Sequence, residues 1–164
     1  MAAKPIPEGF HTLTAYLTVK NAPRAIEFYK QAFRAEVRGI HYGPDGRIMN
    51  ADLKIGDSIL LLAEEFPEMG AKSPLALGGS SITIHIYVED VDKLFNQAVA
   101  AGGTVVMPVM DMFWGDRYGH LTDPFGHKWS IATHKEDLTS EEIEKRGRAA
   151  FERMAAKGQG QHAG

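Results

Sequence analysis

A chain of 164 residues with 44% hydrophobic and 24% charged side chains has the composition of a soluble globular protein and the length to bury one core without cross-links. Its net charge of −3 offers no basic surface for nucleic acid or an anionic membrane, and the lack of cysteine excludes disulfides and thiolate metal sites. Met1 to Phe10 carries two prolines and no apolar run, and no segment approaches the roughly 18 apolar residues of a membrane span, so the cytoplasm is the expected compartment.

The first predicted element is a strand. Leu13, Ala15, Leu17 and Val19 alternate with Thr12, Thr14, Tyr16 and Thr18, which gives one dry face and one wetter face. Asn21 then serves as a helix cap with Pro23 in the first turn, and Ile26, Tyr29 and Phe33 recur as one buried stripe. From Glu64 to Ser80 the chain is rich in Pro, Gly and Ser and lacks sustained periodicity, so it reads as a linker.

The same grammar then returns. Ile82, Ile84, Ile86 and Val88 alternate with Thr83, His85, Tyr87 and Glu89. Asp90 caps a helix with the stripe Val91, Leu94, Phe95 and Ala98, closed by Gly102 and Gly103. Val19-Lys20-Asn21 lines up with Val88-Glu89-Asp90. With a shift of about one residue, Arg47 to Leu53 matches Arg117 to Asp123, and Gly56 to Leu60 matches Gly126 to Ser130. Each half reads as strand, helix and about three strands, an internal duplication. The expected modules are residues 10–63 and 81–135, joined by the linker 64–80 within one domain, 1–135. Beyond His134, Thr139 and Glu142 form a capping box, and Ile143, Ala150, Phe151 and Met154 give a helical stripe. That tail, 136–164, is expected to pack on the body or on a second subunit, with 158–164 disordered.

Two segments of this pattern resemble a known family. Tyr16 to Asn21 followed by Ala25 to Phe33, and the run Trp114 to Trp129 with its Asp123-Pro124-Phe125-Gly126 turn, are similar to the vicinal oxygen chelate superfamily. That superfamily includes glyoxalase I, extradiol dioxygenases and bleomycin-resistance proteins, and the likeness is nearest to its PhnB-like branch. The resemblance covers about residues 10–135. It implies an α+β fold in which tandem βαβββ modules form a curved mixed sheet or open barrel with a ligand cleft, followed by a C-terminal helix. It also implies a homodimer, sometimes with each cleft built from modules of two chains.

Metal-dependent relatives hold a divalent cation with His, Gln or Glu from the first and last strands of each module. The matching positions are Thr14, Leu60, Thr83 and Ser130, none of which suits such a metal. No cofactor is therefore expected. A displaced site using His85 with His120 or Glu89 is the alternative, while His120 and His127 flank the hairpin and read as surface or turn residues.

The expected ligand-binding residues are Tyr16, His85, Tyr87, Phe113, Trp114 and Tyr118, because aromatic walls with a few polar anchors suit flat organic molecules. Met107, Met110 and Met112 add adaptable apolar surface nearby. Asp116 and Arg117 pair with each other or recognise charge on a ligand. Asp123 and Pro124 read as turn scaffold. The function these features favour is metal-free binding of a small, partly aromatic ligand. The alternatives are a metal-dependent or His-assisted lyase, isomerase or dioxygenase, and a structural module with a collapsed cleft. No GxSxG elbow and no phosphate-cradling loop occurs.

Overall fold

The computed structural model describes residues 3–160. The first module comprises β1 (Ala15–Val19), α1 (Ala22–Phe33), β2 (Glu36–Tyr42), β3 (Ile48–Ile55) and β4 (Ser58–Glu64), and its strands lie in the order β1-β4-β3-β2. A connecting segment holds the short helix α2 (Pro74–Leu77). The second module repeats the plan with β5 (Thr83–Tyr87), α3 (Val91–Ala101), β6 (Thr104–Asp111), β7 (Asp116–Thr122) and β8 (Lys128–His134), in the order β5-β8-β7-β6. The chain closes on α4 (Ser140–Gly160). In each sheet the first strand lies parallel to the last, and the remaining neighbours are antiparallel. This is the expected α+β architecture of two mixed, open sheets.

Helix α1 forms because its apolar residues fall on one side. Ile26, Phe28, Tyr29 and Phe33 are buried, and the alanines between them let the helix sit close to its sheet. Asn21 accepts a hydrogen bond from the Arg24 N–H at 3.3 Å, as a cap should. A second cap comes from β4, where the Glu64 carboxylate takes the N–H groups of Asn21 at 2.7 Å and Ala22 at 2.6 Å. An anion at that end also meets the positive end of the helix dipole. In α3, Asp90 accepts from the Lys93 N–H at 3.0 Å, and the hydroxyl of Thr133 on β8 accepts from Val91 at 2.9 Å.

One core runs through both modules. The rings of Phe33 and Trp129 lie 4.5 Å apart, and the Gln97 side chain on α3 donates to the carbonyls of Gln31 and Ala32 at the end of α1. Each large apolar side chain taken out of water here contributes about 1.5–3 kcal/mol, which favours one joint core over two small ones. His127, on the hairpin, donates from Nε2 to the carbonyl of Thr18 at 3.0 Å and ties the second module to the first. It is a turn residue, as expected, with an added bridging contact.

The structure departs from expectation in four places. The first strand begins at Ala15, so Leu13 precedes it and is 92% exposed instead of joining the dry face. The segment 64–80 is not featureless. Glu64 belongs to β4, Phe66 bridges to Ala71, and Ser73 and Pro74 are buried at the start of α2. Helix α4 runs through residues 158–160, expected to be disordered, while the rest of that expectation, 161–164, lies outside the described residues. The fourth correction concerns register. Tyr16 pairs with Leu61 in the first sheet, as His85 pairs with Ser130 in the second. Leu60 is buried in the helix-packed layer and corresponds to Trp129, so Leu61, not Leu60, matches Ser130. Side chains alternate along a strand, so a one-residue slip moves a position to the opposite face.

Candidate functional site

Each sheet packs one face on its helix and leaves the other open. In β5, Ile84 and Ile86 pack on the core, whereas Thr83, His85 and Tyr87 are exposed. Strand pairing extends the open face sideways. His85, Ser130, His120 and Met107 form one row across β5, β8, β7 and β6, and Tyr87, Ala132, Tyr118 and Met110 form the next. Gly119, on the opposite face of β7, lets the Phe95 ring of α3 approach so closely that a Cβ would come within 2.7 Å of it. The second sheet is thus held tightly from behind and open in front.

Along this face and the turn beside it five aromatic rings touch in succession. Phe113 and Trp114 are 5.1 Å apart, Trp114 and Tyr118 5.5 Å, Tyr118 and His85 6.0 Å, and His85 and Tyr87 4.6 Å. The Tyr118 and His85 planes are nearly parallel, at 19°, and the other three contacts are edge-on. Asp116 orders the line from below. Only 4% exposed, it accepts from the Tyr87 hydroxyl at 2.9 Å, the Trp114 indole at 3.1 Å and His134 Nδ1 at 2.8 Å. Burial by itself would raise the Asp116 carboxyl, but these three donors outweigh it and hold the group below its ordinary value. The Tyr87 hydroxyl is raised in turn, chiefly by donating to Asp116.

His134 lies between two carboxylates, with Nε2 on Asp137 at 2.9 Å. Hydrogen bonds to Asp137 and Asp116 raise its imidazole above the ordinary value. His85 shifts the other way. Its Nδ1 lies 2.6 Å from the Ser130 hydroxyl, and partial desolvation among Tyr87, Tyr118 and Ser130 lowers it, with only partial compensation from Asp116. His120 is likewise lowered by burial and by Lys128, and its buried Nε2 has no hydrogen-bond partner among the described residues. A buried ring nitrogen without a partner costs free energy, and the cost is smaller for a neutral imidazole than for a charged one. Chemically the face offers stacking surface, two neutral imidazoles and a hydroxyl.

Of the six expected ligand residues, the structure brings together His85, Tyr87, Phe113, Trp114 and Tyr118. Tyr16 lies apart on the first sheet, where it lines a hollow of about 330 Å³ with Thr18, Met49 and Phe66, while Tyr87 and His85 border one of about 710 Å³ beside Phe33 and Leu94. The contacts of three residues are not those that the sequence suggests. Asp116 does not pair with Arg117, whose guanidinium holds Asp92 at 2.7 and 2.8 Å and Asp111 at 3.2 Å. Ser130, noted only as a failed ligand position, supports His85. His120, read as a surface or turn residue, belongs to the central row of β7. Alternation through Tyr118, His120 and Thr122 carried that last signal.

The donor set does not fit a divalent cation of the family type. Thr14, Thr83 and Ser130 supply neutral hydroxyls and Leu60 or Leu61 no donor, where imidazole or carboxylate is required. Among the described residues no three His, Asp or Glu side chains gather as a metal cluster would.

Comparison with known proteins agrees with this architecture. Residues 9–131 match the family model of the Glyoxalase/Bleomycin resistance protein/Dioxygenase superfamily. An uncharacterized protein of Mycobacterium bovis is 44% identical over 135 residues, covering 80% of this chain and 89% of its own. The crystal structure of TioX from Micromonospora sp. ML1 is 25% identical with a TM-score of 0.60, covering 76% of this chain and 98% of that one. A PhnB protein from Bacillus cereus shares the fold at 18% identity and a TM-score of 0.59, covering 75% and 99%.

Proposed function

Since the chain belongs to the glyoxalase/bleomycin resistance protein/dioxygenase superfamily, a scaffold on which fold does not dictate chemistry, we propose from its site that it is a binding protein for a small, partly aromatic organic molecule. The observation that carries this reading is the unbroken aromatic line from Phe113 to Tyr87 on an open sheet face, ordered from below by buried Asp116. Flat ligands gain stacking there, and His85, held by Ser130, supplies a hydrogen-bond position. Binding proceeds without a divalent metal in this reading, because hydroxyls and leucine stand where relatives of the metal-dependent kind carry ligands.

Titration of the purified protein with a panel of aromatic compounds tests it. Trp fluorescence should be quenched by at least one, the response should vanish in Trp114→Phe, and EDTA should leave it unchanged. Strict dependence on an added divalent ion would overturn the reading.

One observation favours a second reading, a His-assisted enzyme of the same superfamily. The 2.6 Å contact of His85 with Ser130 fixes an imidazole that is neutral near pH 7 and suited to moving a proton. Stoichiometric Ni, Zn, Mn or Fe in protein prepared without chelator, lost in His85→Ala, would favour the metal-dependent form of that reading. A collapsed structural module is the least supported, since Tyr16 and Tyr87 are 57% and 61% exposed. A homodimer in the cytoplasm completes the proposal, and no helix of the described residues is long and apolar enough to cross a membrane. Light scattering showing only monomer at micromolar concentration would refute the dimer.

A further inference from the structure

Helix α4 is fixed to the body at its beginning and stands away from it farther on. Thr139 and Glu142 cap it reciprocally, Arg146 holds Glu136 at 2.7 Å, and Gly147 lies against the Phe113 ring, where a Cβ would come within 3.1 Å. One turn later the Phe151 ring meets that of Phe113, with centroids 5.9 Å apart. Between this half of the helix and the end of β6 lies a hollow of about 740 Å³, a volume typical of small-molecule sites. Met112, Phe113 and Trp114 form one wall, and Ala150, Phe151 and Met154 the other. Phe151 and Met154 are 63% and 66% exposed.

The charges around this groove are unbalanced. Arg146, Arg153 and Lys157 line it together with Asp111 and Glu136. Arg146 is matched by Glu136, and Asp111 is matched by Arg117, which lies outside the groove. Among the described residues Arg153 and Lys157 have no carboxylate partner, and they border the apolar, aromatic wall. Two cations beside aromatic faces at the edge of water attract an anion more strongly than the same cations in open solvent.

We propose that this groove continues the aromatic site and selects an aromatic anion, a planar ring system bearing a carboxylate or sulfonate. The ring lies against Trp114 and Phe151, and the charge sits at Arg153 and Lys157. The proposal rests on the ligand-holding role of the aromatic face, because Phe113 and Trp114 belong to both.

Two probes of similar shape, one anionic and one neutral, separate the possibilities: anilinonaphthalene sulfonate and phenylnaphthylamine. Both should bind, the sulfonate more tightly, and its affinity should fall with added salt. The double variant Arg153→Gln/Lys157→Gln should weaken the sulfonate about fivefold to tenfold and leave the neutral probe unchanged. Both side chains are exposed, so the fold should persist, as circular dichroism can verify. Equal sulfonate affinity in the double variant and the native protein would overturn the anion choice while the aromatic face stands. Failure of both probes to bind would remove the ligand-holding reading as well. If sedimentation shows a dimer and the probes bind only to the monomer that dilution of the native protein releases, a second copy fills the groove and the inference is wrong.

Discussion

Tyr29, on the helix of the first module, donates a 2.6 Å hydrogen bond to Asp123, at the turn of the last hairpin of the second. Asp123 is only 4% exposed and also receives the Trp129 indole at 2.8 Å and the backbone N–H groups of Phe125 and His127 at 2.9 and 3.0 Å. Four donors meet one buried carboxylate, which offsets its loss of water. Burial and the neighbouring Asp123 push the Tyr29 hydroxyl well above its ordinary value, so it stays a donor across the whole working pH range. The turn residue of one module is in this way the anchor of the other.

Tyr29→Phe should therefore destabilise the protein by about 1–3 kcal/mol, since it leaves a buried acceptor one donor short without changing the volume of the core. Urea unfolding followed by Trp fluorescence measures this, because Trp129 sits at the same carboxylate. A cost indistinguishable from zero would mean that Asp123 does not hold the modules together.

The histidines should separate on titration. His134 is raised above 6.5 by Asp137 and Asp116, while burial lowers His85 and His120 below it. His134 binds its proton more tightly folded than unfolded, so its contribution is fully present below pH 6.5 and is lost as pH rises through its folded value. His85 and His120 have the opposite sign. Folding opposes their protonation, so their contribution is present above pH 6.5 and is lost as pH falls through their folded values. Proton NMR of the imidazole C–H signals should place the midpoint of His134 above the ordinary value and those of His85 and His120 below it. In His134→Gln the upper one should vanish, and a spectrum with all three midpoints together would contradict this account.

Gly115 shapes the turn that carries Trp114 and Asp116. Its φ of 100° lies in the region that favours glycine, and an added Cβ would stand 2.5 Å from the Glu136 carbonyl. Gly115→Ala should cost about 1–3 kcal/mol and displace the Trp114 end of the aromatic line. Thermal unfolding gives the first quantity, and the near-ultraviolet circular dichroism of Trp114 reports the second. Native-like values of both would show that the turn tolerates a side chain.

How much of this was readable beforehand differs from element to element. The two βαβββ modules were legible because alternation in Leu17–Val19 and Ile84–Val88, followed by capped helical stripes, are local signals. His85 and Tyr87 were legible for the same reason, since a residue's face follows from its parity in the strand, whereas Phe113, Trp114 and Tyr118 were legible as a crowd of aromatics before the last hairpin. The partners were not. Ser130 meets His85 through parallel pairing of β5 with β8, across 45 residues of chain, and nothing nearby in sequence marks the contact. The glycine match of Gly56 to Gly126 put Leu60 at the wrong face, because the hairpin turn of the second module is longer than that of the first.

From the order of its residues alone this protein reveals its period, its caps and its turns, because those depend on neighbours a few positions apart. Only the folded chain decides that Asp116 serves three rings, that Asp123 binds a tyrosine from the other module, and that a terminal helix and a β6 edge enclose a cation-rimmed groove. Those arrangements depend on strand register and on the docking of one module against the other, which are set by packing over the whole core and are encoded at no single place in the chain.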